Sequence, residues 1–111
     1  MSEATPPIRI VLTTAANPEE AAALAHTLVE ERLAACATLL PGAQSIYRWK
    51  GEIESSTETL LLLKTGTEQL AALEARLLEL HSYEPPEFLV LKVDASSHPY
   101  MDWLQENLRH P

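Results

Sequence analysis

Hydrophobic positions along the chain change their period several times, and each change marks an element. Ile8-Arg9-Ile10-Val11-Leu12-Thr13 is short, apolar and β-branched, the pattern of a buried strand. Asn17-Pro18-Glu19-Glu20 then carries helix-start chemistry: Asn17 to cap, Pro18 at the first helical position, and acids at the positive end of the dipole. Behind it Ala21, Leu24, Ala25 and Leu28 fall on one stripe, which predicts a helix ending around Arg32. Ala35 to Lys50 has strand character, interrupted at Pro41-Gly42, where a regular ladder is impossible and a bulge or bend is expected. Beyond that point Ser45, Tyr47 and Trp49 share one face, and Ile46, Arg48 and Lys50 the other. Lys50-Gly51 predicts a two-residue turn, with Gly51 supplying a positive φ. The return strand runs from Ile53 to Thr65, and its Leu60–Leu63 run reads as buried on both faces.

A second helix is expected from Thr65-Gly66-Thr67-Glu68, where either Thr could cap, with Leu70, Leu73, Leu77 and Leu80 as its buried stripe. Pro85-Pro86 forbids helix beyond Tyr83 and forces extended chain. Phe88 to Val93 is the fourth strand. A last helix is predicted from about Pro99 to Leu108, with Tyr100, Trp103, Leu104 and Leu108 facing inward. The order β-α-β-β-α-β-α places the chain in the α+β class. Its first six elements make the split βαβ, or ferredoxin-like, sandwich, here with a long β2–β3 hairpin and an extra C-terminal helix. Residues 1–7 are expected to be a flexible tail, and 8–111 a single domain.

The hairpin is too long for the rest of the sheet. Each arm has room for about 13–15 residues, some 45 Å at ~3.3 Å per residue, against a typical strand of about 5–6. The short first and last strands cannot cover it. Its distal half would expose free edges and the rings of Tyr47 and Trp49, a surface that symmetric self-assembly would bury. The alternative is a twisted ribbon left in solvent.

Composition narrows the function. Acidic residues outnumber basic ones by 16 to 8, a net charge of −8, so a phosphate backbone would be repelled and nucleic acid is not an expected partner. Dispersed acidity favours solubility, and its functional counterpart is a diffuse attraction for cations. No apolar run approaches the ~20 residues that span a bilayer, and no signal-peptide pattern opens the chain, so a cytoplasmic location and no membrane partner are expected.

Few residues offer chemistry. Cys36 is the one cysteine, so it is either a small buried hydrophobe or a soft ligand suited to Cu(I). His81 ends the second helix, where it either partners the dipole or acts as a metal ligand or acid/base group. Lys64 closes the apolar run of the third strand and either snorkels to an edge or offers a positive charge to an anion in a cleft. Trp49, Tyr83 and Glu87 could join Lys64 there if packing brings them together. Glu52, Glu54 and Glu58 alternate as a solvated face, with weak metal binding as the other reading. G-x-G-x-x-G, Walker, C-x-x-C and nucleophile-elbow motifs are all missing. No catalysed reaction is expected, the weakest competitor being acid/base work by His81 with Glu87.

Several blocks are more specific. Glu31-Arg32-Leu33-Ala34-Ala35-Cys36-Ala37, Pro41-Gly42 and Ser45-Ile46-Tyr47-Arg48-Trp49-Lys50-Gly51-Glu52-Ile53-Glu54 closely resemble the CutA family of divalent-cation tolerance proteins. Leu61-Leu62-Leu63-Lys64-Thr65, His81-Ser82-Tyr83-Glu84-Pro85-Pro86-Glu87 and Tyr100-Met101-Asp102-Trp103-Leu104 extend the likeness over nearly the whole chain. The resemblance implies a fold related to the PII signalling proteins and a homotrimer joined through the hairpin at Tyr47, Arg48 and Trp49. It implies a role in the response to metal ions, with copper or another divalent cation as ligand and no required cofactor. His81 and Cys36 are the metal-ligand candidates it leaves. Thr13 and Leu80 stand where copper-binding enterobacterial members look to have ligands, and Ser82 where a Pro is usual. The relation to PII also implies a second function: sensing a small anionic metabolite between subunits with Lys64, Trp49, Tyr83 and Glu87.

Overall fold

The β-branched and leucine-rich segments form one four-stranded antiparallel sheet, in the computed structural model, which describes residues 5–110. Its strands are β1 (Ile8–Ala15), β2 (Cys36–Trp49), β3 (Glu52–Gly66) and β4 (Leu89–Lys92), in the order β2-β3-β1-β4. Residues 1–4 of the expected tail, and Pro111, lie outside the described residues. Pro6 and Pro7 are tied down: Arg9 Nη1 donates to the Pro6 carbonyl at 3.0 Å and the Thr67 N–H to the Pro7 carbonyl at 3.1 Å.

Helix α1 (Pro18–Glu30) starts as its sequence dictates. The Asn17 side chain accepts from the Glu20 N–H at 2.8 Å, and Pro18 opens the first turn. Its stripe Ala21, Leu24, Ala25 and Leu28 is buried. With Val11 and Ala15 of β1, Leu61 and Leu63 of β3, and Leu73 and Leu77 of α2 (Leu70–Leu80), it forms the main core. Each such leucine removed from water contributes about 1.5–3 kcal/mol. α1 and α2 therefore cover one face of the sheet.

The other face is left open. Ile10, Leu12, Leu60 and Leu62 are half-buried there, and Leu40, Leu89 and Leu91 are exposed. The Leu60–Leu63 run was expected to be buried on both faces; in the single chain only Leu61 and Leu63 are.

The bulge falls at Pro41-Gly42. Leu40 pairs with Leu60 but Ala43 with Glu58, so β2 carries one extra residue, and Gly42 sits at φ 79°. The insertion flips the parity of β2. Ala43, Ser45, Tyr47 and Trp49 therefore continue the open face that Cys36, Thr38 and Leu40 began. Lys50 and Gly51 both have positive φ, 50° and 81°, as a tight two-residue hairpin turn requires. Along β3, Thr59–Gly66 pair with β1, whereas Glu52–Glu58 pair with β2 alone. The protruding hairpin gives the molecule its 50 Å long axis.

Three expectations fail in instructive ways. Thr65 does not cap α2: β3 runs on to Gly66, and the Thr65 hydroxyl donates to the Leu33 carbonyl at 2.6 Å. A single 3₁₀ turn, Thr67–Gln69, leads into α2 with no side-chain cap on either. Leu80 is exposed at the frayed end of its stripe. In α3 (His98–Glu106), Tyr100 and Trp103 face outward, 43% and 44% exposed, and only Leu104 of the helix is buried. Leu104 and Leu108 form a small second core with Ile8 and Ala35. It is closed by the Arg109 N–H donating to the Arg32 carbonyl at 2.9 Å.

Candidate functional site: an acidic cleft under the hairpin

The loop after α2 is positioned by His81. This side chain is buried, its Nε2 2.7 Å from the Thr14 carbonyl and its Nδ1 accepting the Tyr83 N–H at 3.0 Å. Nδ1 accepts, so Nε2 must carry the proton and donate; the ring is held as one neutral tautomer. Tyr83 packs against it, ring centroids 4.8 Å apart, and donates its hydroxyl to Glu58 at 2.7 Å. Pro85-Pro86 was expected to force extended chain; instead the backbone bends through residues 82–85, with a cis peptide bond at Glu84-Pro85, before reaching Glu87.

Between this loop and the open face of the hairpin lies a cleft of about 760 Å³. Thr14, Ser45 and Ser56 line it, as do the rings of Tyr47, Trp49 and Tyr83. Four carboxylates face it, Glu54, Glu58, Glu84 and Glu87, and no lysine or arginine does. Glu58 is 8% exposed. Burial pushes its carboxyl up, but the hydroxyls of Ser45, Tyr83 and Thr14 around it outweigh that and hold it below its ordinary value. Glu87, though exposed, goes the other way, raised first by partial loss of water on the cleft side and then by the negative charge of Glu58. Burial and the bond to Glu58 together push the Tyr83 phenol well above its ordinary range.

The expected constellations are partly assembled. Trp49, Tyr83 and Glu87 meet in the cleft. Lys64 does not. It lies six residues along β3 from Glu58, about 20 Å at ~3.3 Å per residue. There its Nζ donates to Thr38 Oγ1 at 3.0 Å and sits 3.7 Å from Cys36 Sγ. His81 and Cys36 are also separated: His81 bonds Thr14, opposite Leu60, whereas Cys36 lies opposite Lys64. Both ring nitrogens of His81 are engaged, so it offers no lone pair to a metal or to acid/base work in this conformation. Among the described residues no three His, Cys, Asp or Glu side chains stand close enough to hold an ion. The residues present therefore do not fit a resident metal within one chain. At the hairpin, Tyr47 and Trp49 face the cleft while Arg48 turns back to the Gly51 carbonyl at 3.2 Å.

Sequence reasoning missed Glu58, which it grouped with Glu52 and Glu54 as a solvated face. Parity could not single it out, because Glu52 and Glu54 share its face. Glu58 shares the face of Leu60 and Leu62, and is the last acid before the part of β3 that β1 covers.

A single antiparallel sheet, a long hairpin and an acidic cleft define a small α+β protein with a negatively charged candidate site. Comparison with known proteins makes that class particular. The family described as CutA1 divalent ion tolerance protein matches residues 9–107. The chain is 46% identical over 98 residues to the divalent-cation tolerance protein CutA of Thermus thermophilus, covering 88% of this chain and 95% of that protein. The solved structure of CutA from Synechococcus elongatus superposes with a TM-score of 0.91 at 46% identity, covering 95% of this chain and 93% of that one. A protein named CutA, chloroplastic, from Arabidopsis thaliana is 36% identical over 98% of this chain and 60% of its own length. The chain belongs to the CutA1 divalent ion tolerance family.

Proposed function

We propose that this chain acts as a non-catalytic homotrimer in the response to divalent cations, and that the acidic cleft is where positive charge is received. The observation that carries this reading is the cleft lining: four glutamates, with no basic side chain to neutralise them. The strand order β2-β3-β1-β4 with α1 and α2 on one face supports the ferredoxin-like, PII-related reading of the fold. The trimer is supported by what the single chain leaves uncovered. The distal hairpin has free edges, and Leu40, Leu89 and Leu91 stand exposed on the open face. Copper is the first cation to test, as a guest of the cleft rather than of a His81–Cys36 pair. The anionic-metabolite reading depends on Lys64, which stands apart from the cleft, and no observation favours it. No described helix is long and apolar enough to cross a membrane; a cytoplasmic location is part of the proposal.

Native mass spectrometry should give three times the chain mass. Calorimetry with copper chloride should give heat that Glu87→Gln diminishes. A monomer at micromolar concentration would remove the trimer, and heat unchanged by Glu87→Gln would remove the cleft as the receiving site.

A further inference from the structure

The cleft has two kinds of wall. Glu54, Glu58 and Glu87 bring negative charge, and Tyr47, Trp49 and Tyr83 bring ring surface. A bare divalent ion uses only the first kind, and it needs several oxygens converging at about 2.0–2.6 Å. That convergence is missing among the described residues. The space, about 760 Å³, also far exceeds one ion and suits a small organic molecule. Ring faces attract ammonium groups, and the Trp49 ring already draws one, Lys50 Nζ, 5.9 Å from its centroid. The charge at the inner wall is built in rather than solvated: Glu58 is more than nine-tenths buried and held by Tyr83.

We propose that the cleft binds a small organic ammonium ion, its charge set against Glu58 and Glu87 and its apolar body against Trp49 and Tyr47. This deepens the cation reading by naming the class of cation, and it rests on that reading. An ammonium placed between Glu58 and Glu87 would also relieve the repulsion between them.

The test uses the full chain carrying Trp103→Phe, so that Trp49 is the sole tryptophan. Choline, spermidine, the neutral choline isostere 3,3-dimethyl-1-butanol, citrate and copper chloride are each titrated against its fluorescence. The expected result is a saturable change with choline or spermidine, none with the alcohol or citrate, and affinity about tenfold weaker in Glu87→Gln, the cost of one charge-assisted contact. Glu87 is exposed, so its replacement leaves the fold intact, which circular dichroism checks. The proposal is overturned if neither amine changes the signal, if the alcohol or citrate matches them, or if Glu87→Gln binds them unchanged. Copper binding without amine binding overturns this inference and leaves the cation reading standing. Silence from every cation removes both.

Discussion

The Tyr83 hydroxyl donates to the Glu58 carboxylate at 2.7 Å, and that bond ties the loop after α2 to the base of the hairpin. It joins elements 25 residues apart and fixes one wall of the cleft. Because the bond favours the charged form of Glu58, it helps to hold that carboxyl below its ordinary value against the opposing effect of burial.

Tyr83→Phe should therefore destabilise the fold by about 1.5–3 kcal/mol at neutral pH, the worth of a hydrogen bond to a charged group. The folded pKa of Glu58 is depressed, so its contribution is present above the ordinary carboxylate range and lost as pH falls through the folded value. Urea denaturation at pH 7 and at about pH 3 should show the gap between the two proteins narrowing in acid. An equal gap at both pH values would mean that the ring's packing, not its bond to a charge, sets the loss.

Glu87 should behave in the opposite sense. Its folded pKa is raised, by partial desolvation and then by Glu58, so the folded state holds its proton more tightly than the unfolded chain does. Stability from that proton is present in acid and lost as pH rises through the folded value. Glu87→Gln keeps the shape and removes the charge. It should raise the midpoint of thermal unfolding at pH 7 and leave it unchanged below the carboxylate range. A lower midpoint at pH 7 would show that the Glu87 charge is compensated in the folded protein.

Gly66→Ala should cost about 1–3 kcal/mol. An added Cβ would clash with Gln69 Oε1 and sit 3.0 Å from Leu108 Cδ1. The Gln69 end cannot simply swing away, because its Nε2 donates to the Arg109 carbonyl at 2.6 Å. Relieving the clash breaks that bond and loosens the C-terminal residues from the end of β3. A urea midpoint within error of the parent would show that this corner rearranges freely.

How much of this was legible depended on whether a residue's partner was near in sequence. The α1 cap at Asn17, the bulge at Pro41-Gly42 and the turn at Lys50-Gly51 are local chemistry, and each lies where its residues placed it. Thr65 misled because a Thr before a Gly suits a helix cap and a strand end equally. The carbonyl of Leu33, far along the chain, decided for the strand. Tyr100 and Trp103 show that periodicity finds a stripe without saying whether anything covers it. At the cleft, Trp49, Tyr83 and Glu87 do come together. Within one chain Lys64 stands apart from them, because Trp49 pairs with Glu52 at the hairpin tip and Lys64 with Cys36 at its base. Glu58 was overlooked because its burial comes from Tyr83, a residue the sequence gives no means of pairing with it.

Two buried threonines in the core make a paired prediction. Thr13 is fully buried on the helix-covered face of β1, and its hydroxyl has no hydrogen-bond partner among the described residues. Thr65, also fully buried, donates its hydroxyl to Leu33 at 2.6 Å. Valine has nearly the same shape as threonine, so replacing either changes polarity more than packing. At position 13 the change removes a hydroxyl that was stripped of water without compensation, and Thr13→Val should stabilise by about 1–3 kcal/mol. At position 65 it leaves the Leu33 carbonyl without its donor, and Thr65→Val should destabilise by about 1–2 kcal/mol. Each kcal/mol moves the melting temperature of a domain this size by roughly 4–8 °C, so the two variants should separate clearly in calorimetry. Protein concentration must be matched, because any assembly stabilises the folded state by mass action. If Thr13→Val melts below the parent, the Thr13 hydroxyl has a partner in the working protein, and the inner end of β1 carries a polar contact beyond those of the single chain.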